Sequence, residues 1–390
     1  MQKVISLSFG VDKMNEHDII SSVTPKLSHL VIKLMRDCEV GICAGHVKLS
    51  DLNCGCPTVS DAPGKCDRFK VTIPFAGQTL TWEVLFDEQN PEDPPDFIFG
   101  SDEFFPNIDR LPSLVDWDFS EPASLTHVIN ELVIEYRRYQ ERLVSEIERL
   151  NFEYTSLLEG TAVTPDTMEI HVSRTENRVG PINFLIKLHV DFSKIPEYMV
   201  KLNLGEDAAL LLVTYHTAEG SRITPQLYMS HRLEKALGGG NNLRIPVFPE
   251  QSCLSDYVQD VTLLLQNKVD TIVNCFEKRR DYINAFLEQF GRSVLEFDSV
   301  SFTKVGFLFE WHDFFFMVNI ELPAMFPKEK PSLTLQSIYH EQKGRPYSEP
   351  YPDYPYSPRW NGAEMADRIR QYILEHIGTF QKKSVTCGRE

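Results

Sequence analysis

The chain has 390 residues, of which 42% are hydrophobic and 24% charged, and its formal net charge is −17 with a pI near 5.1. Chains longer than about 250–300 residues usually fold as more than one domain, so two or three domains are expected. An acidic surface repels phosphate, which argues against nucleic acid or an anionic membrane as a direct partner.

The N-terminal segment MQKVISLSFG lacks the basic region and the long apolar run of a signal peptide. The most apolar stretch, residues 305–322, is interrupted by Glu310, His312 and Asp313, unlike a membrane-spanning helix. We therefore expect an intracellular protein with no membrane segment. Its eight cysteines are then expected to be reduced thiols rather than a disulfide framework.

The first predicted helix begins where Thr24 can act as a cap and Pro25 can occupy the first turn. Apolar residues follow at the spacing of one helical face: Leu27, Leu30, Val31, Leu34 and Met35. Further along, FKVTIPFA and LTWEVLF alternate apolar and polar residues on either side of the turn Ala76-Gly77-Gln78. This period of two predicts an antiparallel hairpin with one buried face.

Three prolines interrupt the strand pattern directly after the hairpin, in NPEDPPDFIF at residues 90–99. Proline has no backbone N–H for a sheet ladder and holds φ near about −65°. Pro91, Pro94 and Pro95 should therefore end the pairing of one strand and fix the direction of the next.

A long amphipathic helix is predicted next, from Ile129 to a stop at Gly160. Its charged run EYRRYQERLVSEIERL places Glu and Arg at helical spacing, which is typical of a solvated face. The helix is longer than one small module needs. We therefore expect its distal half, residues 145–158, to pack on another domain or subunit.

The middle of the chain, residues 161–250, contains two strand-like runs, INFLIKLHV and ALLLVTYH, and then the glycine-rich segment LGGGNNLRIPVFPE, which predicts a loop. Two interpretations stay open for this region. It is either a degraded copy of the modules that flank it or an unrelated β linker domain.

The hairpin pattern returns near the other end of the chain, shifted by 236 positions without a gap, so that Phe69 corresponds to Val305. The same shift carries Pro91 onto Pro327 and Pro95 onto Pro331. Because alternating strands recur in any β protein, the prolines at a fixed distance are the stronger sign of an internal repeat. Helical stripes also precede and follow this second hairpin, ending at Gly291 and spanning NGAEMADRIRQYILEHI.

The predicted fold class is α+β, with tandem modules in which antiparallel meander sheets are flanked by helices. The predicted domains are an N-terminal module at 11–160, a middle region at 161–250 and a C-terminal module at 251–390.

This order of elements resembles the ubiquitin-conjugating enzyme (E2-like, or RWD-like) fold. The segment FPNID at residues 105–109 looks like the His-Pro-Asn signature of that family with the histidine replaced, and DWDFSEPASL around Trp117 looks like its Trp-Ser-Pro segment. The second copy has YSPRW ending at Trp360 but no His-Pro-Asn. The resemblance implies that both modules, and the middle region if it is a copy, are ubiquitin-conjugating-enzyme variants.

The nucleophile of such an enzyme is a cysteine just downstream of the signature, because a thiolate is a strong nucleophile and a good leaving group. No cysteine occurs between Cys66 and Cys253 or between Cys275 and Cys387, and the expected position near Leu114 offers no thiol. We therefore predict no enzymatic activity and no catalytic, cofactor-binding or metal-binding residue. A divergent conjugating enzyme that uses Cys66, and a free-standing ubiquitin-binding receptor, are the alternatives.

Two such variants on one chain, with the strings CDRFK, PPDFIFG, HRLEKALGG, FTK and YPYSPRW, resemble the family of brain and reproductive organ-expressed scaffold subunits of the BRISC deubiquitinase and its nuclear counterpart. The resemblance implies a non-catalytic subunit in the cytoplasm and nucleus. It also implies three partners: a JAMM-type zinc metalloprotease, an Abraxas-like scaffold and a von Willebrand A-type adaptor. Polyubiquitin is a further partner that the resemblance suggests.

Tyrosine and proline alternate densely at residues 346–360, before the last predicted helix. This segment is either an ordered loop that packs on its own sheet or a groove for an extended, proline-containing partner peptide. The candidate peptide surface comprises Tyr351, Tyr354, Tyr356, Arg359 and Trp360. Within it, Arg359 could bind an acidic group.

Five cysteines lie between residues 38 and 66 with His46 nearby: Cys38, Cys43, Cys54, Cys56 and Cys66. Structural zinc prefers ligand pairs at the spacing C-x2–4-C, and only the first pair, Cys38 and Cys43, has that spacing; Cys54 and Cys56 have a single residue between them. Free thiols are the plainer interpretation, and a zinc site is the alternative.

Overall fold

A computed structural model describes residues 5–6, 16–42, 45–55, 66–87, 89–90, 92–101, 103–175, 178–199, 208–220, 222–239 and 243–387. The chain divides into two compact units, Met1–Val190 with Asn203–Gln266, and Asp191–Leu202 with Asn267–Glu390. The three predicted modules were defined by the internal repeat and not by compact units, and their boundaries stay a prediction. Across the described ranges, none of the helices has the length and apolar character needed to cross a bilayer.

The first half of unit 1 contains a four-stranded antiparallel sheet in the order β4-β5-β6-β7, with helices before and after it. Its elements, in chain order, are β1 (Ile5–Ser6), α1 (Glu16–Ser22), α2 (Ser28–Asp37), β2 (Glu39–Val40), β3 (Gly45–His46), β4 (Lys48–Asn53), β5 (Arg68–Phe75), β6 (Gln78–Leu85), β7 (Asp96–Ile98), α3 (Pro112–Val115), α4 (Ser124–Ser145) and α5 (Glu148–Gly160). The alternating residues of β5 and β6 form the core face, where Phe69, Val71, Ile73 and Phe75 are all fully buried.

The second half of unit 1 is an antiparallel meander followed by helices. Its elements are β8 (Met168–Thr175), β9 (Arg178–Leu188), β10 (Ala209–Tyr215), β11 (Ile223–Met229), α6 (His231–Ala236) and the first part of α7 (Leu254–Phe290). The sheet order is β1-β11-β10-β9-β8, and β1 adds to β11 in parallel. The structure confirms the two predicted strands of this region, but its kinship to the flanking modules stays a prediction.

Unit 2 contains a five-stranded antiparallel meander with helices before and after it, in the order β12-β13-β14-β15-β16. Its elements after α7 are β12 (Val294–Phe297), β13 (Lys304–Trp311), β14 (Phe314–Glu321), β15 (Ser332–Gln342), β16 (Arg345–Pro350) and α8 (Gly362–Cys387). The core lies between the sheet and the helices, where Phe286, Phe307 and Ile369 are buried together. Together with unit 1, this arrangement confirms the α+β class and the antiparallel sheets with flanking helices.

The structure confirms the internal repeat residue by residue through three strands. Arg68 pairs with Leu85 in β5–β6, and Lys304 pairs with Glu321 in β13–β14, which is the same register shifted by 236 positions. The third strand repeats too, because the pairs Val84–Phe97 and Ile320–Leu333 also correspond. The strands before each hairpin do not correspond, since β4 pairs with β5 in a different register from that in which β12 pairs with β13.

Two local predictions are wrong. Thr24 does precede a helical turn that Pro25 opens, but the turn is a 3-10 helix at Pro25–Leu27 ahead of α2, and the Thr24 hydroxyl does not cap it, because it donates to the Cys66 carbonyl at 3.2 Å. The long helix is also not continuous, because Ile147 adopts extended backbone (φ −113°, ψ 108°) and separates α4 from α5.

The distal helix packs beyond the first sheet, as its length predicted. Arg149 donates to the Glu219 carbonyl at 2.5 Å, and the Glu153 carboxylate accepts the N–H of Leu254, the first residue of α7, at 2.7 Å. Leu150 and Leu157 are fully buried. Residues 145–158 therefore pack on the middle region and on the start of α7.

Candidate interaction surfaces

The proline-led crossing of the first module leads into an aromatic cluster. Pro91 lies outside the described residues, whereas Pro94 and Pro95 directly precede the three-residue strand β7. Behind it, Trp82 packs edge-on to Phe99 with ring centroids 5.4 Å apart, and Phe104 packs on Tyr136 at 5.1 Å. The crossing is thus held by ring packing as well as by the fixed φ of proline.

The loop that resembles the His-Pro-Asn signature presents hydrocarbon to solvent. Phe105 is 81% exposed and Ile108 is 63% exposed, and Val115 at the end of the following helix α3 is also 63% exposed. Asn107 is exposed and caps the short 3-10 turn that follows it, because its Oδ1 accepts the N–H of Asp109 at 3.0 Å. The loop therefore offers an apolar surface of the kind that binds another protein.

The expected nucleophile position carries no reactive group. Leu114 and Val115 lie in α3, and the adjacent hydroxyl of Ser113 donates to a carboxylate oxygen of Glu131 at 2.6 Å. The Ser113 N–H also donates to Glu131, at 3.1 Å. This carboxylate anchors α3 to α4, and the sequence alone gave no sign of it.

Two of the five candidate residues of the C-terminal aromatic segment lie in the core of unit 2. Tyr351 is 8% exposed and Tyr354 is 2% exposed, and the Tyr354 hydroxyl donates to the Pro331 carbonyl at 2.6 Å. Burial raises the pKa of both hydroxyls above the ordinary value of tyrosine. For these two residues, the structure shows a loop that packs on its own sheet.

The other three candidates lie nearer the surface. Tyr356 is half-buried and donates its hydroxyl to the Pro327 carbonyl, while Arg359 is exposed. The ring of Trp360 is covered on one face by the guanidinium of Arg368, whose Cζ lies 3.8 Å from the ring centroid. A partner-peptide surface at Tyr356, Arg359 and Trp360 stays a prediction.

A lysine that the sequence did not single out holds this segment in place. The Lys330 ammonium donates to the carbonyls of Pro352 and Tyr354, the second at 2.6 Å, and lies 4.0 Å from the centroid of the Tyr354 ring. Burial lowers the pKa of Lys330. Only its position just before Pro331, one of the prolines of the repeat, could have drawn attention to it.

The cysteine cluster falls partly outside the described residues, which omit Cys43 and Cys56 and give only the backbone of His46. Cys38 is fully buried, and burial raises the pKa of its thiol to about 12. Cys54 is exposed and Cys66 is half-buried. Within the described ranges, no three His, Cys, Asp or Glu side chains come together as a metal site would need.

The fold and these surfaces define an α+β protein whose two end regions share one strand arrangement and whose exposed loops present binding groups. Comparison with known sequences identifies its family. The family model for the brain and reproductive organ-expressed protein (BRE) matches residues 21–341. The chain belongs to this family, as the sequence strings predicted.

Two curated relatives match nearly the whole chain. A protein of Branchiostoma floridae, named BRISC and BRCA1-A complex member 2, is 45% identical over 381 residues, covering 95% of this chain and 98% of the relative. A protein of Danio rerio with the same name is 44% identical over 378 residues, covering 95% and 97%.

Proposed function

We propose that this chain is a non-catalytic scaffold subunit of a deubiquitinase assembly of the BRISC and BRCA1-A type. The observation that carries the proposal is the match to two relatives, each over 95% of the chain, whose names make them members of those complexes. In this role the chain joins a JAMM-type metalloprotease and its Abraxas-like scaffold to a von Willebrand A-type adaptor. It works in the cytoplasm and in the nucleus, where it takes part in the response to DNA damage.

The module type belongs to the same proposal. We infer that both end regions are ubiquitin-conjugating-enzyme variants, and the repeated three-strand register supports this. So does the order that follows β6 in the first copy: a proline-led crossing, the loop at 105–109 and then the helix α4. A fold that normally carries activated ubiquitin then serves through its surfaces, which include weak contacts to ubiquitin chains.

The chemistry of the described thiols supports a non-catalytic role. Cysteine attacks as the thiolate, so a raised pKa lowers its reactivity at neutral pH. Burial raises the pKa of the Cys66 thiol, which the neighbouring Cys54 and Asp67 raise further. Cys66 is the thiol that a divergent conjugating enzyme would have used, and its surroundings oppose ionisation.

Affinity purification of the tagged full chain from cells, with identification of the recovered subunits, tests the proposal. The expected result is co-purification of a JAMM-type metalloprotease together with ubiquitin-chain-cleaving activity. Recovery of the chain without any metalloprotease would contradict it.

A pair of exposed apolar residues provides a matched control for the same experiment. Phe105→Ser removes the 81% exposed ring of the signature-like loop, whereas Val247→Ser changes a residue that is 76% exposed elsewhere in unit 1. We expect Phe105→Ser to reduce the recovery of at least one subunit and Val247→Ser to leave recovery unchanged. Both variants should fold normally because neither side chain is buried.

A further inference from the structure

The sheet of unit 2 has two different faces. The helices α7 and α8 pack on one of them, where Phe286, Phe307 and Ile369 are buried in one core. Along each strand, successive side chains point to opposite faces. The residues that alternate with the core positions therefore form the other face, which we call the outer face.

The outer face is apolar at its centre. Leu308 of β13 lies opposite Met317 of β14, and Phe315 is the neighbouring outward residue of β14. All three are half-buried. Ile338, which follows the inward-facing Ser337 on β15, is 49% exposed. These four apolar side chains are the outer apolar patch: Leu308, Phe315, Met317 and Ile338.

The internal repeat provides a comparison for this patch. The three positions of the first sheet that correspond to its residues on β13 and β14 are all threonine: Thr72, Thr79 and Thr81. The register is the same, because Thr72 lies opposite Thr81 as Leu308 lies opposite Met317. An antiparallel sheet with one face in solvent normally has polar residues on that face. The strand arrangement thus does not require apolar residues here, and their presence indicates a contact surface.

The charges around the patch are mainly negative. Glu310 lies opposite Phe315, and Glu321 lies opposite Lys304. Glu296, on the edge strand β12, forms an ion pair with Lys304 at 2.5 Å. The outer face of β12 to β14 therefore carries three carboxylates and one ammonium. The basic residues of β15, β16 and their connection lie at the turn between these strands: Lys343 and Arg345.

These charges indicate which partner fits the patch. A second copy of the chain would bring its own carboxylates against Glu310 and Glu321, and like charges across an interface oppose association. The phosphates of nucleic acid or of a membrane are repelled for the same reason. A protein surface with an apolar centre and basic residues around it complements both the patch and its rim.

We propose that the outer apolar patch binds another protein subunit of the proposed assembly, through an apolar surface with a basic rim. The inference rests on the proposed scaffold role and adds to it a surface of unit 2 and the chemistry of its partner. Burial of the apolar side chains supplies the affinity. The contacts with Glu310 and Glu321 orient the partner and make its binding depend on salt.

The threonines of the first sheet define the test variant. Leu308→Thr, Phe315→Thr and Met317→Thr, made together, give unit 2 the outward residues of the first sheet, and threonine suits a strand. Affinity purification of the tagged triple variant should recover one subunit about tenfold less than the wild type does. Leu374→Ala is the control, at a 47% exposed position on α8, and should retain every subunit.

The charge of the partner is tested with the purified subunit that the triple variant loses. Its affinity for the chain should fall about tenfold with Glu310→Lys and raised salt should weaken its binding to the wild type. Glu288→Lys, at an exposed position on α7, should bind within about twofold of the wild type.

Methionine oxidation keeps the test decisive if the triple variant folds poorly. Hydrogen peroxide should oxidise Met317 more slowly in the assembled complex than in the chain alone. Met325, which is 40% exposed outside the patch, should react equally in both. Equal oxidation of Met317 in the two states would overturn the proposal, as would its protection by ubiquitin alone.

The remaining outcomes separate this proposal from the scaffold role. A wild-type preparation that contains other subunits but no metalloprotease contradicts the scaffold role. A preparation that contains the metalloprotease, and from which the triple variant loses nothing, contradicts the outer apolar patch. Unchanged affinity of Glu310→Lys overturns the basic rim, and self-association that the triple variant abolishes overturns the choice of partner.

Discussion

Glu169 of β8 accepts the backbone N–H of Ala76, in the β5–β6 turn, at 2.7 Å. Its other oxygen accepts the N–H of Ile42 at 2.8 Å. The residue is fully buried, and burial raises the pKa of its carboxyl even though both hydrogen bonds oppose the shift. One side chain thus joins the first hairpin to the middle sheet.

Replacement of Glu169 by Leu should destabilise unit 1. The variant leaves the N–H groups of Ala76 and Ile42 without acceptors, and an unsatisfied buried donor costs about 1–3 kcal/mol. Urea unfolding at neutral pH checks this, with Glu92→Gln at an exposed position as the control. A free energy of unfolding equal to that of the wild type would show that the Glu169 carboxyl does not stabilise unit 1.

The same residue predicts a pH dependence. A carboxyl whose pKa is raised in the folded state binds more protons there than in the unfolded chain, so its contribution is present at low pH and is lost as pH rises. The loss begins above about pH 4.3, the ordinary pKa of glutamate, which applies to the unfolded chain. It is complete once the pH exceeds the raised pKa of Glu169 in the folded state. The stability difference between the wild type and Glu169→Gln should therefore shrink as pH rises above about 4.3. A difference that grows with pH would contradict the assignment.

The sequence predicted the hairpins because their information is local: alternating residues and a turn lie within one short segment. Glu169 was not foreseen, because a glutamate in a strand is typical of a solvent-facing position and its partner Ala76 is 93 positions away. The break at Ile147 was missed for the opposite reason, since the apolar stripe continues across it although the backbone does not.

For the candidate peptide surface, the sequence likewise showed the local composition but not the tertiary contacts. The sequence showed that the segment before α8 is rich in tyrosine and proline. It could not show that Tyr351 and Tyr354 point into the core while Tyr356 and Trp360 lie nearer the surface. That distinction depends on Lys330 and Pro331, which approach from another strand end.

The two hairpin turns allow a matched test of the repeat. Gly77 and Asp313 are equivalent positions, and both have left-handed backbone, with φ of 73° and 61°. Gly77→Ala should cost about 1–2 kcal/mol in free energy of unfolding, because alanine is strained in left-handed backbone. The added Cβ would also lie 2.9 Å from the Leu212 side chain. Asp313→Gly should change stability by less than about 1 kcal/mol, because aspartate tolerates this conformation. Urea unfolding of both variants checks the contrast, and equal losses would contradict it.

Incubation with ubiquitin-activating enzyme, ATP and ubiquitin should yield no reducible ubiquitin adduct. Cys38 is buried with a pKa of about 12, and the pKa of Cys66 is raised, so neither supplies much thiolate at neutral pH. Non-reducing gels of the wild type and of Cys66→Ser provide the measurement. An adduct in the wild type that Cys66→Ser removes would establish the rival function, a divergent conjugating enzyme.

Replacement of Lys330 by Met should loosen the tyrosine-rich segment. The variant removes two hydrogen bonds to the carbonyls of Pro352 and Tyr354 and the cation–π contact, a loss of about 1–3 kcal/mol. Hydrogen exchange should then quicken at residues 351–356 and stay unchanged in β13. Lys328→Met, at an exposed position two residues earlier, is the control and should leave exchange as in the wild type.

The central claim is that the chain acts only as part of a larger assembly. Size-exclusion chromatography of cell extract, with the chain detected by antibody and each fraction assayed for cleavage of ubiquitin chains, tests it most directly. We expect elution far above the 44.8 kDa of one chain, in the fractions that contain the deubiquitinase activity. Elution as a single chain, apart from that activity, would contradict it.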